Sequence, residues 1–217
     1  MKHFIDYVSQ AAVLALLLLS YTPVQAAAYD DLLRAAEIGD AKGLDQMIGK
    51  GMDPNTADAK GNTLLIIAVR EGHRDVVGTL VRRKANANKR NQYGDTALML
   101  ASLRGDREIA RMLIEVGGAE VKHSGWAPIH YAAFYDKPEI IRYLIAKGAD
   151  KDALAPNGYT PLMLSARSGH TDAARALLQE DVDINLRNPD GQTALRIARQ
   201  RKHGEVAELI VRAGGVE

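Results

Sequence analysis

The sequence of 217 residues contains no cysteine. A disulfide framework, a lipidated cysteine and a cysteine nucleophile are therefore all excluded, and stability must come from packing alone. Aromatic side chains are also scarce, at 5% of the residues. The formal net charge of +1 gives no global indication of nucleic-acid binding. The content of 47% hydrophobic and 25% charged residues is that of an ordered globular chain.

Motifs of catalysis and ligand binding are missing as well. The chain has neither a Gly-x-Ser-x-Gly nucleophile elbow nor a His-Glu-x-x-His zinc helix. The segment 181–185 resembles the start of an EF-hand loop, but Leu186 stands where the sharp turn needs glycine. Gly49-Lys50-Gly51 lacks the other residues of a phosphate loop. The histidines are dispersed along the chain, so the sequence predicts no enzyme, no cofactor and no metal site.

What the chain does contain is a repeat. Five glycines recur at spacings of 33, 31, 33 and 33 residues, and each begins a similar sequence motif such as Gly94-Asp-Thr-Ala-Leu98. They are Gly61, Gly94, Gly125, Gly158 and Gly191. A period of this length is typical of a repeat protein, in which each unit contacts only its neighbours and a long open surface results.

Each unit shows helical spacing twice. In the second unit, apolar residues in segment 64–68 are followed by Gly72-His73, and the pattern then resumes in segment 76–81. This pattern predicts two short antiparallel helices per unit. Segments rich in Asn, Asp and Gly, such as 84–88 and 181–185, separate the units and predict loops.

With these residues the chain resembles the ankyrin repeat family, whose unit carries Gly-x-Thr-Pro-Leu-His, then Gly-His, then Gly-Ala-Asp-x-Asn. Gly158-Tyr-Thr-Pro-Leu162 with Ser168-Gly-His170 matches this pattern most closely. The resemblance implies an all-α solenoid over residues 29–217, with a β-turn or hairpin finger before each helix pair. The implied division is a degenerate N-terminal cap 29–60, repeats 61–93, 94–124, 125–157 and 158–190, and a C-terminal cap repeat 191–217.

The fourth unit departs from the others. The step of 31 residues that leads to it predicts a shorter or differently turned finger. Ala127 replaces the family's threonine, which predicts that His130 lacks its usual local partner. The other units keep threonine but replace the histidine, so packing rather than a polar network is expected to hold the row together.

Aromatic residues concentrate in the same unit. Trp126, Phe134 and Tyr135 are predicted at the surface, whereas Tyr131 and Tyr143 occupy leucine positions and are predicted in the core. Large aromatics on an exposed face are typical of binding hot spots, particularly beside arginine. An alternative is that Trp126 folds down into the gap left by its short finger. The predicted partner-binding residues are Tyr93, Leu103, Arg104, Trp126, Phe134, Tyr135, Tyr159 and Arg167.

The N-terminus has the pattern of an export signal. Lys2 and His3 precede the apolar run 11–19, and small residues follow up to Ala26. The run is about half as long as a membrane span requires. Residues 1–26 are therefore predicted to be a cleavable signal peptide that contacts the membrane only during export. The absence of disulfides in an exported chain favours the bacterial periplasm.

These observations predict an exported, monomeric binding module rather than an enzyme. The resemblance implies that a partner protein binds the concave face of units three to five, and that this partner is a periplasmic enzyme rather than a nucleic acid. Two tasks remain open by resemblance. The protein either neutralises a toxic or cell-wall-active enzyme, or assists a stress enzyme such as a catalase.

Overall fold

The computed structural model describes residues 23–217, which form twelve α-helices joined by turns and loops. The helices are α1 (Pro23–Ile38), α2 (Ala41–Gly49), α3 (Leu64–Glu71), α4 (Arg74–Arg82), α5 (Ala97–Arg104), α6 (Arg107–Glu115), α7 (Pro128–Phe134), α8 (Pro138–Ala146), α9 (Pro161–Ser168), α10 (Thr171–Leu178), α11 (Ala194–Gln200) and α12 (Gly204–Arg212). The predicted signal peptide, residues 1–26, lies outside the described residues except for 23–26, which form the start of α1.

The helices pack as six pairs in two layers. The first helix of each pair contacts the first helices of the neighbouring pairs, and the second helices contact one another in the same way. We call these sets the first-helix layer (odd-numbered helices) and the second-helix layer (even-numbered helices). Within the described residues there is no strand, and a single isolated bridge joins Ala57 to Thr63. The prediction of an all-α repeat fold is confirmed.

Threonine and glycine fix the ends of most first helices. The hydroxyl oxygen of Thr160 accepts a hydrogen bond from the Met163 amide at 3.2 Å, and the helix ends at Gly169, which has a φ of +73°. A hydroxyl acceptor satisfies one of the free amides of the first turn, and glycine adopts a positive φ without steric cost. Equivalent threonine caps are Thr63, Thr96 and Thr193.

The core is aliphatic and continuous along the row. Leu65, Leu98 and Ile129 occupy the same position in successive first helices and are at most 1% exposed. Burying a side chain of this size stabilises the fold by about 1.5 to 3 kcal/mol relative to exposure. Each layer covers the apolar side of the other, so the packing of neighbours holds the row together.

The finger of the fourth unit is turned differently from the other four, as its spacing predicts. In those four, the amide of the finger glycine donates to the carbonyl three residues earlier, for example Gly94 to Asn91 at 2.9 Å. The same bond forms at Gly61, Gly158 and Gly191. Gly125 makes no such bond, so the finger before α7 is not closed at its tip.

His130 lacks the threonine hydroxyl, as predicted, but it has two backbone partners. Its Nδ1 accepts from the Ala127 amide at 2.9 Å, and its Nε2 donates to the Ala153 carbonyl at 2.9 Å. A backbone amide thus replaces the missing threonine hydroxyl, and the ring is neutral with its proton on Nε2. Burial lowers the pKa of His130 against the opposing effect of the bond to the Ala153 carbonyl, which agrees with a neutral ring.

Polar contacts between units contribute in addition to the predicted packing. His73 donates from Nε2 to the Glu37 carbonyl at 2.8 Å, which lies at the end of the preceding first helix. His170 and His203 make the equivalent contact in later units. They donate to the carbonyls of Phe134 and Arg167, each in the first helix of the preceding unit. These side chains satisfy carbonyl groups that a helix leaves free at its C-terminus.

The loops are joined by a second set of hydrogen bonds. The side-chain oxygen of Asn55 accepts from the Asn86 amide at 2.7 Å, and that of Asn88 accepts from the Glu120 amide at 2.9 Å. Asp152 and Asn185 form the same contact with the amides of the loops that follow them. No hydrogen bond of this kind joins loop 116–127 to loop 147–160 in the described chain, so the ladder is interrupted beside the open finger.

Candidate partner-binding surface

Helix α7 and the residues beside it carry four aromatic side chains that lie together. We call Trp126, Tyr131, Phe134 and Tyr135 the aromatic patch. Trp126 and Tyr131 meet edge to face with ring centroids 6.3 Å apart, and Phe134 and Tyr135 do so at 5.1 Å. Together with His130 they line an open pocket of about 190 Å³. This is far more than the roughly 30 Å³ of one water molecule and less than the 300 Å³ at which drug-sized sites begin.

The exposed fractions show which of these rings a partner could reach. Phe134 is 38% exposed and Tyr135 is 44% exposed. Trp126, also 38% exposed, meets the His130 ring edge to face, with the ring centroids 5.7 Å apart. The two readings of Trp126 therefore each hold in part, because its ring packs onto the start of α7 while a third of it stays accessible. Exposed aromatics of this size bury much area on binding at little cost in rotamer entropy.

The prediction that Tyr131 lies in the core was wrong. It is half-buried rather than in the core, and its hydroxyl donates a short hydrogen bond to the carboxylate of Asp95 in the preceding finger. Burial, and next this bond, raise the pKa of the Tyr131 hydroxyl, which therefore remains a donor at neutral pH. The contact fixes the ring that forms the floor of the pocket.

Tyr159 and Arg167 form a second, adjoining contact. The guanidinium carbon of Arg167 lies 5.6 Å from the centre of the Tyr159 ring, within the range of a cation–π interaction. Tyr159 belongs to the next finger and is partly buried against the core. Arg167 is exposed on α9, the neighbour of α7 in the first-helix layer. The structure therefore brings together five of the eight predicted binding residues around α7 and α9.

The other three predicted residues lie on the side of α5. Leu103 is partly buried, and Arg104 is exposed but donates from Nη1 to the Arg70 carbonyl at 2.7 Å. Arg104 thus makes the same kind of hydrogen bond between units that histidine makes elsewhere in the row. Tyr93 is 67% exposed at the tip of the preceding finger and makes no aromatic contact with another ring in the described residues.

Tyr143, by contrast, is in the core as predicted. It is 9% exposed on α8 in the second-helix layer, and Arg107 and Lys147 each lie 5.6 Å from its ring centre. Its hydroxyl donates to Glu115, and burial raises the pKa of the Tyr143 hydroxyl. This tyrosine joins α8 to α6 and is not available to a partner.

The remaining polar features lie outside the aromatic patch. Among residues 23–217, no group of three or more His, Asp or Glu side chains is placed to hold a metal ion. None of the helices in this range combines the length and apolar character that crossing a bilayer requires. His123 accepts from Arg90 at 2.9 Å, and burial lowers the pKa of His123. It lies next to a gap of about 200 Å³ between the open finger and loop 147–160.

The sequence matches a known family model over most of the chain. The model of ankyrin repeats (3 copies) matches residues 32–124, 80–155 and 129–217. The chain belongs to the ankyrin repeat family. Ankyrin repeats in general mediate binding between proteins and are typically not enzymes.

Individual ankyrin repeat proteins resemble the chain only in part. A putative ankyrin repeat protein of Rickettsia bellii is 32% identical over 54% of this chain, and protein phosphatase 1 regulatory subunit 27 of Mus musculus is 34% identical over 45% of it. The chain spans 35% and 65% of the lengths of these two relatives. The crystal structure of an ankyrin repeat domain from Acinetobacter baumannii AYE covers 86% of this chain and is itself covered to 98%, with a TM-score of 0.77 and 26% identity.

Proposed function

We propose that this ankyrin repeat protein is an exported binding module that recognises one partner protein through the aromatic patch. The observation that carries the proposal is the pocket of about 190 Å³ formed by four clustered aromatic rings on the first-helix layer. Three of these rings are exposed to the extent of 38% to 44%, in a chain where aromatic residues are 5% of the total. Clustered aromatics with a central pocket are the usual composition of interface hot spots.

The architecture supports the same proposal. Helix α7 lies near the middle of the row, so that a partner seated over it can also contact α5 and α9. The fixed ring of Tyr131 and the backbone-bonded ring of His130 give the pocket a rigid floor. A preorganised pocket loses less side-chain entropy when it binds.

Photo-crosslinking tests the proposal. A benzophenone amino acid placed at Tyr135 is expected to capture one predominant protein from the periplasmic extract of the source bacterium. The same probe at Val211, which is exposed on α12 in the second-helix layer, is the matched control and should not capture it. Equal capture from both positions would contradict a specific surface.

The purified captured protein then allows a quantitative test. Phe134→Ala and Tyr135→Ala are each expected to weaken its binding by about 2 kcal/mol or more, as measured by calorimetry. Val211→Ala should leave the affinity unchanged. An unchanged affinity of both aromatic variants, with intact helical circular dichroism, would remove the aromatic patch from the interface.

The cellular setting is part of the proposal. The charged and apolar pattern of residues 1–26 supports export to the periplasm, with a monomeric mature chain and a periplasmic enzyme as partner. Fractionation of cells and N-terminal sequencing of the mature chain test the export. An activity assay of the purified mixture separates the two tasks, because an inhibitor lowers the partner's activity whereas an assisting protein preserves it under stress.

A further inference from the structure

The two helix layers differ in net charge. Helices α3, α5, α7, α9 and α11 together carry five arginines and one acidic residue, a net charge of +4. These residues are Arg70, Arg104, Arg167, Arg196, Arg199 and Glu71. Helices α4, α6, α8, α10 and α12 carry seven basic and seven acidic residues, a net charge of zero. Helix α1 of the N-terminal cap is separately acidic, so the positive charge is confined to the five glycine-led units.

Ion pairing leaves some arginines of each layer without a carboxylate. In the second-helix layer, four of the seven arginines form ion pairs, and Arg82, Arg107 and Arg175 form none within residues 23–217. In the first-helix layer, Arg70 pairs with Glu71 and Arg199 with Glu217. The other three arginines of that layer, Arg104, Arg167 and Arg196, form no ion pair with any carboxylate of residues 23–217. Their positive charge is therefore not neutralised within this part of the protein.

The arginines lie in line with the aromatic patch. Phe134 and Arg167 each stand nine residues after the finger glycine of their unit, and Tyr135 and Arg104 each stand ten after it. The exposed aromatic pair of α7 is thus flanked by an arginine on α5 and another on α9. Arg196 extends the positive charge onto α11, where it is exposed.

We propose that the partner protein presents an acidic surface around a single apolar side chain. The apolar side chain would occupy the aromatic pocket, and carboxylates around it would pair with Arg104, Arg167 and Arg196. Guanidinium groups bind carboxylates in a two-pronged geometry, and complementary charge accelerates association. A cationic side chain in the pocket is disfavoured because arginines flank it on both sides. This inference depends on the proposed function, since it gives the chemistry of the same surface.

Binding of synthetic peptides tests the chemistry before a partner is known. The probe is a fluorescein-labelled peptide of glutamate and aspartate with one central leucine, and its binding is followed by fluorescence anisotropy. Two comparison probes are the same peptide with lysine in place of every acidic residue, and a single-stranded DNA of equal charge. The double variant Arg167→Glu/Arg196→Glu is compared with Arg82→Glu/Arg175→Glu, which changes the charge equally in the second-helix layer.

The acidic peptide is expected to bind the wild-type protein and to lose about tenfold or more in affinity with Arg167→Glu/Arg196→Glu. The control double variant should retain most of the affinity, and raising the salt from about 50 to 200 mM should weaken binding. Equal losses in both double variants would overturn the inference, because net charge alone would then explain binding. Tighter binding of the basic peptide or of the DNA would also overturn it.

The crosslinked partner separates failure of this inference from failure of the proposed function. If the aromatic variants weaken binding of that partner and Arg167→Glu/Arg196→Glu does not, the acidic chemistry is wrong and the binding surface stands. If neither set of variants weakens it, the proposed function at this surface fails, and the inference fails with it. Circular dichroism and the thermal midpoint of each variant show whether the fold is retained.

Discussion

The first-helix and second-helix layers share one core but have different exteriors. The outer faces of the second helices carry equal numbers of acidic and basic residues, and several of these form ion pairs one helical turn apart. The first helices carry an excess of arginine, with three arginines that form no ion pair within residues 23–217, and a set of exposed aromatic rings. The comparison teaches that the charge-balanced exterior and the exterior with exposed rings and excess arginine lie on opposite sides of the row.

The largest effect should come from the core that both layers share. Ile129→Ala removes a fully buried side chain from α7 and leaves a cavity between the layers. We expect it to lower the free energy of unfolding by about 2 to 5 kcal/mol, as measured by urea denaturation. Val211→Ala, at an exposed position, is the control and should change stability by less than about 0.5 kcal/mol. Similar values for the two variants would contradict a common core at α7.

His130 should have the next largest effect, because it belongs to the first-helix layer but acts on stability. His130→Leu leaves the Ala127 amide and the Ala153 carbonyl without their partner, which we expect to cost about 1 to 3 kcal/mol at neutral pH. The variant keeps an apolar side chain of similar size, so the loss reports mainly on the hydrogen bonds.

The pH dependence of the stability of the same variant is a second test of the buried neutral ring. Because burial lowers the pKa of His130 in the folded state, the unfolded chain binds the proton more readily. The wild-type protein should therefore lose stability as the pH falls below the unfolded value of about 6.5, and the loss should level off below the folded value. Thermal unfolding of His130→Leu should show a flatter dependence in this range, and parallel curves would contradict a buried neutral ring.

A helix cap in the first-helix layer should have a smaller effect. Thr160→Ala removes the hydroxyl that accepts from the Met163 amide at the start of α9. We expect a loss of about 1 kcal/mol in the free energy of unfolding. Thr160→Ser keeps the acceptor oxygen and should recover most of the difference. If serine were as destabilising as alanine, packing of the methyl group rather than the cap would be responsible.

The smallest effect should come from a single ion pair of the second-helix layer. Arg142→Ala breaks the exposed pair with Glu139 on α8, and we expect a change in stability of at most about 0.5 kcal/mol by urea denaturation. Binding of the acidic leucine peptide should not change. A clear loss of peptide binding would place part of the interface on the second-helix layer. It would contradict the assignment of binding to the first-helix layer alone.

The helix pairs could be predicted from sequence because their signals are local. The threonine caps, the recurring glycines and the apolar spacing all act within one unit, so every pair from Leu64 onward follows from reading the repeat. The contacts of His130 could not be predicted in the same way. Its second partner, Ala153, lies 23 residues away in a loop whose position depends on the stacking of units.

The candidate surface also has features that could be predicted from sequence and features that could not. The exposure of Phe134 and Tyr135 follows from their position in the unit, and the structure agrees with it. The half-buried state of Tyr131 depends on Asp95 in another unit, so its leucine-like position alone was misleading. The histidine ties also escaped prediction, because the glycine before His170 signals a helix end but not the carbonyl that the ring will reach.

The interrupted ladder of loop hydrogen bonds leaves loops 116–127 and 147–160, which flank α7 and α8, without the bond that joins the other loops. The two loops border an unfilled gap, whereas the layer bearing the aromatic rings stays in close contact. Local opening should therefore start at these two loops, and their amides should exchange faster than those of the other loops. Because the helix that carries the aromatic rings lies between them, a partner bound to those rings would slow this exchange.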